Sequence, residues 1–509
     1  MCPGGGGRRY GTMTESRFRA GWKLWGIVFC CGAVVLTSCA GSQTAGTDTR
    51  AIREGQQHSP GSSTPRSSET EDTTKPAYGE TVPGVLTFRG NPSRTFHGTG
   101  PIGAAGKVSW RYPDRPMCGQ SSEYGEIRTW CGTGWAGQPV VFERDERTWV
   151  AFGAYDYAFH FLDAETGEEI IPSLKTGDLA KGMLSVDPDG YPIVYGGSRD
   201  NMFRAIAIDG EAPRVLWELD ARSFRERKWN NDWDSAALVL DGRLILTGEN
   251  GRVHVVELNR SYGADGLVRV EPRVLWSEKS WDAELLENLG DDRVSVEASP
   301  TMIGEVVYFA NSGGLLQGWD LDGVETGVAP RRVFRLWLGD DTDASLVADE
   351  TGFLYAAVEV DRGTSRGRSL GQLLKIDPTK QGDAAVVWSV DVNHGKDSGS
   401  WATPALWRDL VIFTTKPGEV LGVGREDGQV RWRLRISGYT LSSPSVIEDV
   451  LLQGDGGGKL RAWRLLPDGE PRAMWTVKLG GNIESTPAIW MGSLYVGARD
   501  GYFYKITTR

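Results

Sequence analysis

Residues Glu484–Ile506 read ESTPAIWMGSLYVGARDGYFYKI, and this stretch decides the fold. A small-residue turn ending at Pro487 leads into a short apolar run. Ser493–Ala498 then alternates, Arg499-Asp500-Gly501 makes a polar turn, and Tyr502–Ile506 alternates again. Two period-2 runs joined by an Asp-Gly turn predict an antiparallel hairpin. Alone such a unit is marginal, so it must stack on further copies to bury both faces.

The copies lie upstream. Each opens on a turn with a small residue or Pro, runs through three short strands, and ends in an apolar strand often marked by Trp. Openings fall at Gln138-Pro139, Leu184–Asp187, Asp234-Ser235-Ala236, Ala298-Ser299-Pro300, Ala344-Ser345, Ala402-Thr403-Pro404 and Ser442-Ser443-Pro444, with the terminal unit as the eighth. The last unit lacks a fourth strand because the sequence stops at Arg509, whereas Val108–Tyr112 (VSWRY) is a Trp strand with no preceding partner. Pairing the two closes a ring and removes the open sheet edges. The expectation is an all-β ring of eight four-stranded antiparallel sheets. Seven is the alternative count, since the second unit lacks a Pro-type opening.

Trp-ended repeats with an Asp-x-x-Thr-Gly turn, clearest at Asp163–Gly167, resemble pyrroloquinoline-quinone (PQQ)-type β-propeller repeats. That resemblance covers roughly Gly84–Thr507 and implies a β-propeller, with each sheet a blade. Quinoprotein alcohol dehydrogenases carry such repeats, and so does the lipoprotein subunit of the outer-membrane β-barrel assembly machine. The likeness is specific for fold and poor for activity, because function resides in sites. FRGNPSRTFHGTGP (Phe88–Pro101) and RTWCGTGWAGQPV (Arg128–Val140) also resemble segments of exported propellers to which no reaction is assigned.

The N-terminus carries addressing signals. Arg17, Arg19 and Lys23 precede the apolar run Leu24–Leu36, which is followed by Thr37-Ser38-Cys39. This order reads as a secretory signal over residues 1–38, with Met13 an alternative start, and its apolar run is too short to span a bilayer. Leu36-Thr37-Ser38-Cys39 resembles a bacterial lipobox, which implies that Cys39 is lipidated. Ala40 after that cysteine implies the outer membrane, facing the periplasm, in a Gram-negative cell. Residues 39–81 are rich in Gly, Ser, Thr, Pro and charge, and read as a flexible tether reaching about 35 Å, ahead of a propeller over 82–509. Of the six cysteines, Cys118 and Cys131 remain for a disulfide in an oxidising compartment.

The formal charge is −11, and residues 1–38 carry a net +4, leaving about −15 for the rest. Such a surface disfavours non-specific binding to nucleic acid. In a ring of blades, the residues just before each innermost strand converge on one mouth of the central channel. Aligned on the openings, the residue three before the Pro-like position is Asp234, Glu297, Asp343 and Glu484 in four units, and Ala136, Lys181, Trp401 and Leu441 in the others. Asp232, Asp341, Asn230 and Asn231 lie close by. Carboxylates gathered there repel unless protonated, paired or bridged by a cation. Three readings stay open: neutralisation by Lys181, Arg128 and other arginines, a bound cation for which Ca²⁺ suits the oxygen ligands best, or a cationic ligand.

Trp135, Trp233 and Trp401 are candidates for an aromatic platform, although Trp also fills gaps between blades. The vicinal cysteines found in quinoprotein dehydrogenases occur here only as Cys30-Cys31, inside the signal. No HExxH, CxxC or P-loop pattern supports zinc hydrolysis or phosphate cradling. Trp281–Leu289 (WDAELLENL) predicts a short amphipathic helix packed on the rim or used for docking. The expectation is a monomeric, lipid-anchored, non-catalytic scaffold binding envelope proteins. The alternatives are a PQQ- and Ca²⁺-dependent dehydrogenase and a propeller that binds a small ligand or cation.

Overall fold

The computed structural model describes residues 78–509 apart from 124, 136 and 468. The signal segment, Cys39 and most of the tether lie outside the described residues.

Eight four-stranded antiparallel sheets form a ring, and the second unit makes a full blade. Blades 1–7 begin with innermost strands Val140–Arg144, Ser185–Val186, Leu238–Leu240, Thr301–Ile303, Val347–Ala348, Ala405–Trp407 and Ser445–Ile447. Their outermost strands are Glu169–Lys175, Arg214–Asp220, Arg273–Lys279, Arg331–Trp337, Val386–Val390, Val430–Arg435 and Gly469–Lys478. Blade 8 contains Ala488–Trp490, Ser493–Gly497 and Phe503–Thr508, and its fourth strand is Gly106–Tyr112 from the other end of the propeller. The closure runs in register from Gly106 opposite Thr508 to Tyr112 opposite Phe503.

The repeat chemistry becomes intelligible at the blade junctions. Trp110, on the last strand of blade 8, donates its indole N–H to the Ala164 carbonyl of blade 1 at 3.2 Å. Its ring lies against Gly167, where an added Cβ would meet it at 2.7 Å and where φ is +77°. Glycine is therefore required in that turn for both space and backbone conformation. Trp388 of blade 5 repeats the contact on the Arg425 carbonyl and Gly428 of blade 6. Between blades the apolar faces interlock. Phe152 of blade 1 stacks on Phe503 of blade 8 with centroids 3.9 Å apart.

The channel is closed by the chain itself. Gly84–Val85 adds a fifth, innermost strand to blade 1. The following residues cross the ring and touch each remaining blade. The Leu86 carbonyl accepts from Val186, Thr87 Oγ1 donates to the Ala237 carbonyl, and the Pro92 and Ser93 carbonyls accept from Met302 and Ala348. Arg89 Nη2 donates to the Thr403 carbonyl at 2.8 Å, His97 Nδ1 meets the Val446 backbone, and Thr99 N donates to Ile489. Arg94 is fully buried and donates Nε to the Pro300 carbonyl at 2.9 Å and Nη1 to the Phe88 carbonyl at 2.7 Å. Burial pulls both guanidinium groups down to about 9, so they remain charged at neutral pH and are held by carbonyl dipoles. FRGNPSRTFHGTGP is thus the channel plug.

Two additions sit outside the blades. Cys118 and Cys131 form a disulfide across the hairpin Cys118–Glu123/Glu126–Cys131. Ala283–Leu289 is a helix capped by Asp282, whose carboxylate accepts from Leu285 N at 3.0 Å. Leu285 is buried against Val294 and Leu315, with Leu286 and Leu289 partly covered beside it, so the predicted helix packs on the rim.

Candidate functional site

Loops that precede the innermost strands, and turns between the second and third strands, surround one end of the channel. They enclose a cup of about 590 Å³. Its aromatic lining includes Trp130, Trp135, Tyr155, Trp229, Trp401 and Tyr439; its charged lining includes Lys181, Glu249, Glu297, Asp341, Asp343, Glu359, Arg362 and Lys416. A small void between this floor and the plug is bounded by Phe88, Asp234, Glu297 and Asp343. The cup is blind, since the plug lies beneath it.

Trp135 organises the floor. Its indole N–H donates to Glu297 Oε2 at 2.9 Å, and its ring meets Trp401 edge-on at 5.3 Å between centroids. The backbone of Trp135 is left-handed at φ +58°, an uncommon conformation for a bulky residue, which the surrounding packing must sustain.

Asp232, Asp234 and Glu249 form one carboxylate triad, and Asp341, Asp343 and Glu359 form another. In each, one oxygen per residue lies within 4.8 Å of the others. Blade 3 supplies the first triad and blade 5 the second. In both, an Asp-x-Asp precedes the innermost strand, and a Glu follows the second strand. Lys181, from blade 2, reaches into the first with Nζ 2.7 Å from Asp234, 2.8 Å from Glu249 and 3.2 Å from Asp232. Arg199 Nε adds a contact to Asp232 at 3.2 Å. In the second triad Lys416 Nζ donates to Glu359 Oε2 at 2.6 Å. Glu359 Oε1, Asp341 Oδ1 and Asp343 Oδ1 are buried without a hydrogen-bond partner.

The other expected residues go elsewhere. Glu484 pairs with Arg499 at 3.7 Å, whose guanidinium lies over Trp130 and Tyr155, and Glu484 does not line the cup. Asn231 sits behind Asn230, which does line it. Trp233 turns between blades 2 and 3, donating to the Asn201 carbonyl at 2.9 Å. Arg128 is exposed and pairs with Glu126. Glu249, Glu359 and Lys416 escaped the sequence reading, although each immediately follows the second strand or comes two residues after it. Alignment on the strand-2 ends would have found them.

A family model described as outer membrane protein assembly factor BamB matches residues 371–465, from the third strand of blade 5 into the third strand of blade 7. Those residues carry a PQQ-type repeat, set within the ring of eight blades. A search of curated protein sequences finds no match. Among solved structures, the propeller is similar to the quinohemoprotein alcohol dehydrogenase of Comamonas testosteroni, at 14% identity and a TM-score of 0.56, over 84% of this chain and 80% of that one. It is similar to the computationally designed Ika8 protein at 12% identity and a TM-score of 0.51, over 73% of this chain and 96% of that one. BamB from Moraxella catarrhalis matches at 14% identity with a TM-score of 0.38, over 79% of this chain and 98% of that one. At these identities the likeness to the dehydrogenase and to the designed protein speaks for the fold alone.

The propeller's mouth has unusual proton affinities. Burial pushes Asp232 up to about 7, Asp234 to about 6 and Glu249 to about 8, against the opposing pull of Lys181. Burial tends to lower Lys181, but Asp234, Glu249, Asp232 and Glu297 together hold its ammonium well above the usual lysine range. Glu297 rises to about 8 through burial and the charge of Glu249. Asp341 and Asp343 are raised well above the carboxylate range, first by burial, then by Glu359 for the former and Asp341 for the latter. Chemically the cup offers carboxylates to a cation and aromatic faces to whatever carries it.

Proposed function

We propose that this propeller is an exported, lipid-anchored, non-catalytic docking scaffold of the bacterial cell envelope, working as a monomeric disc that presents its mouth face to a protein partner. The observation that carries this reading is the apolar rim around an acidic cup. Trp229 and Tyr439 are 43% and 47% exposed where they line the cup, and Ile127 is 75% exposed on the disulfide-closed hairpin beside Trp130. Aromatic side chains are enriched at protein-binding faces, and exposed apolar patches mark them. The interlocked blades and the plugged channel make that face rigid, which reduces the entropy cost of docking. The BamB-described match over residues 371–465 agrees with an envelope role. No observation among the described residues favours the quinone-dehydrogenase alternative.

The test is site-specific photo-crosslinking in intact cells at positions 229 and 439, with Val328 at the opposite end of the propeller as control; Val328 is 55% exposed. The same partner should be captured from both mouth positions and not from 328. Capture with no preference for the mouth overturns the proposal.

A further inference from the structure

The two triads are repeats of one device. In blade 3 the sequence Asp232-Trp233-Asp234 and the later Glu249 hold an ammonium, that of Lys181, from the equivalent loop of the preceding blade. In blade 5 the sequence Asp341-Thr342-Asp343 and the later Glu359 build the same three-carboxylate nest. The equivalent residue of the blade before it is Glu297, not lysine. Where one triad receives Lys181 from that position, the other receives a fourth carboxylate there, and its one ion pair with a chain ammonium is that of Glu359 with Lys416.

Buried oxygens without a hydrogen bond occur in both triads, Asp232 Oδ2 and the two Asp234 oxygens in blade 3 among them, but there every carboxylate lies within 3.2 Å of the Lys181 ammonium, and in blade 5 only Glu359 meets one. Glu359 is 4% exposed, yet its Oε1 has no partner, and neither does Oδ1 of Asp341 or Asp343. Lys416 satisfies only the other oxygen of Glu359. Arg362 is committed to Asp291 at 3.2 Å and to the carbonyls of Arg293 and Ser312. Buried acceptors of this kind call for a donor.

We propose that the blade-5 triad, with Glu297, is a site for a primary ammonium group supplied from outside the chain, a lysine side chain of a docked protein or a free alkylamine. An ammonium fits better than a divalent metal ion for three reasons. The equivalent triad already accepts one with three N–O contacts of 2.7–3.2 Å. Within the blade-5 triad itself Glu359 already accepts an ammonium, that of Lys416, at 2.6 Å. Trp135 and Trp401 line the same cup and can face the alkyl chain or the charge. The inference rests on the reading that the mouth is the binding face, and names what is bound there.

Calorimetric titration of the full chain in detergent tests it, with n-butylammonium as probe, tetramethylammonium as a cation without N–H donors, and Ca²⁺ as the divalent arm. Butylammonium should bind with one-to-one stoichiometry, and tetramethylammonium at least tenfold more weakly. Glu297→Lys, which places an ammonium where blade 2 has Lys181, should abolish butylammonium binding and raise the melting temperature. Asp343→Asn should weaken binding at least tenfold, and decides the matter if the Glu297→Lys variant does not fold. Repeating the titration with Nα-acetyl-lysine amide separates a side-chain source, if it binds more tightly than butylammonium, from a free amine. Absence of butylammonium binding at millimolar concentration, binding that survives Asp343→Asn, or one-to-one uptake of Ca²⁺ in its place overturns the inference. Crosslinks from positions 229 and 439 report on docking separately, so either proposal can fail while the other holds.

Discussion

Blades 3 and 5 place nearly the same carboxylate frame at the same mouth and end in different electrostatic states. In blade 3, Lys181 and Arg199 supply two positive groups to three carboxylates. In blade 5, the same frame faces Glu297, with one ion pair to Lys416 and Arg362 acting on Asp341 from farther off. A single position of the repeat, lysine in one pair of blades and glutamate in the other, separates a cluster whose three carboxylates all pair with one ammonium from a cluster in which only Glu359 does. A propeller can therefore diversify its mouth without altering a blade, because the loop residues point into the channel and carry no part of the strand ladder.

Removing the cation from the blade-3 triad is the harshest test of that contrast. Lys181→Met leaves buried carboxylates without their ammonium and should cost about 3–5 kcal/mol in urea unfolding. A loss below about 1 kcal/mol would mean that protonation already neutralises the triad and that the two blades do not differ as described.

Next comes a pair of matched substitutions with opposite signs. Asp234→Asn breaks an ion pair with Lys181 at 2.7 Å and should destabilise by about 1–2 kcal/mol. Asp343→Asn relieves crowding among like groups and should stabilise by up to about 1 kcal/mol, read by the same unfolding experiment. Equal signs for the two would remove the distinction between the triads.

The smallest effect is a pH slope. Glu297 titrates near 4.5 when unfolded and near 8 in the fold, because burial and Glu249 disfavour its charged form. The folded state therefore binds the extra proton. Its contribution to stability is complete below about pH 4.5 and is lost as the pH rises through about 8. Glu297→Gln should flatten the decline of melting temperature across that window, and an unchanged slope would place the titration elsewhere.

Much of this was legible in the chain because the repeat is written in local chemistry. Small-residue openings, alternating strands and the Trp and Gly of successive blades recur at readable intervals, and even the missing fourth strand of the last unit identified Val108–Tyr112 as its partner. Alignment of the openings also brought Lys181, Asp234, Glu297, Asp343 and Trp401 to one mouth, as the structure has them. Glu249 and Glu359 were passed over because only one of the two loops that each blade contributes was compared. Trp135 and Trp233 look alike in sequence, but one enters the cup and the other fills a blade junction, since irregular loops have no periodicity to assign a side.

The sequence by itself determined the blade and the closure of the ring and favoured eight copies over seven, all of which follows from strand periodicity, turn chemistry and the need to bury sheet faces. Only the tertiary structure decided what lies inside. The contact between Arg89 and the Thr403 carbonyl spans 314 residues, and the Lys181–Glu249 pair spans 68. No local pattern encodes such meetings. They exist because closing the ring brings eight distant loops to a common axis, where burial makes every unpaired charge expensive and thereby selects its partner.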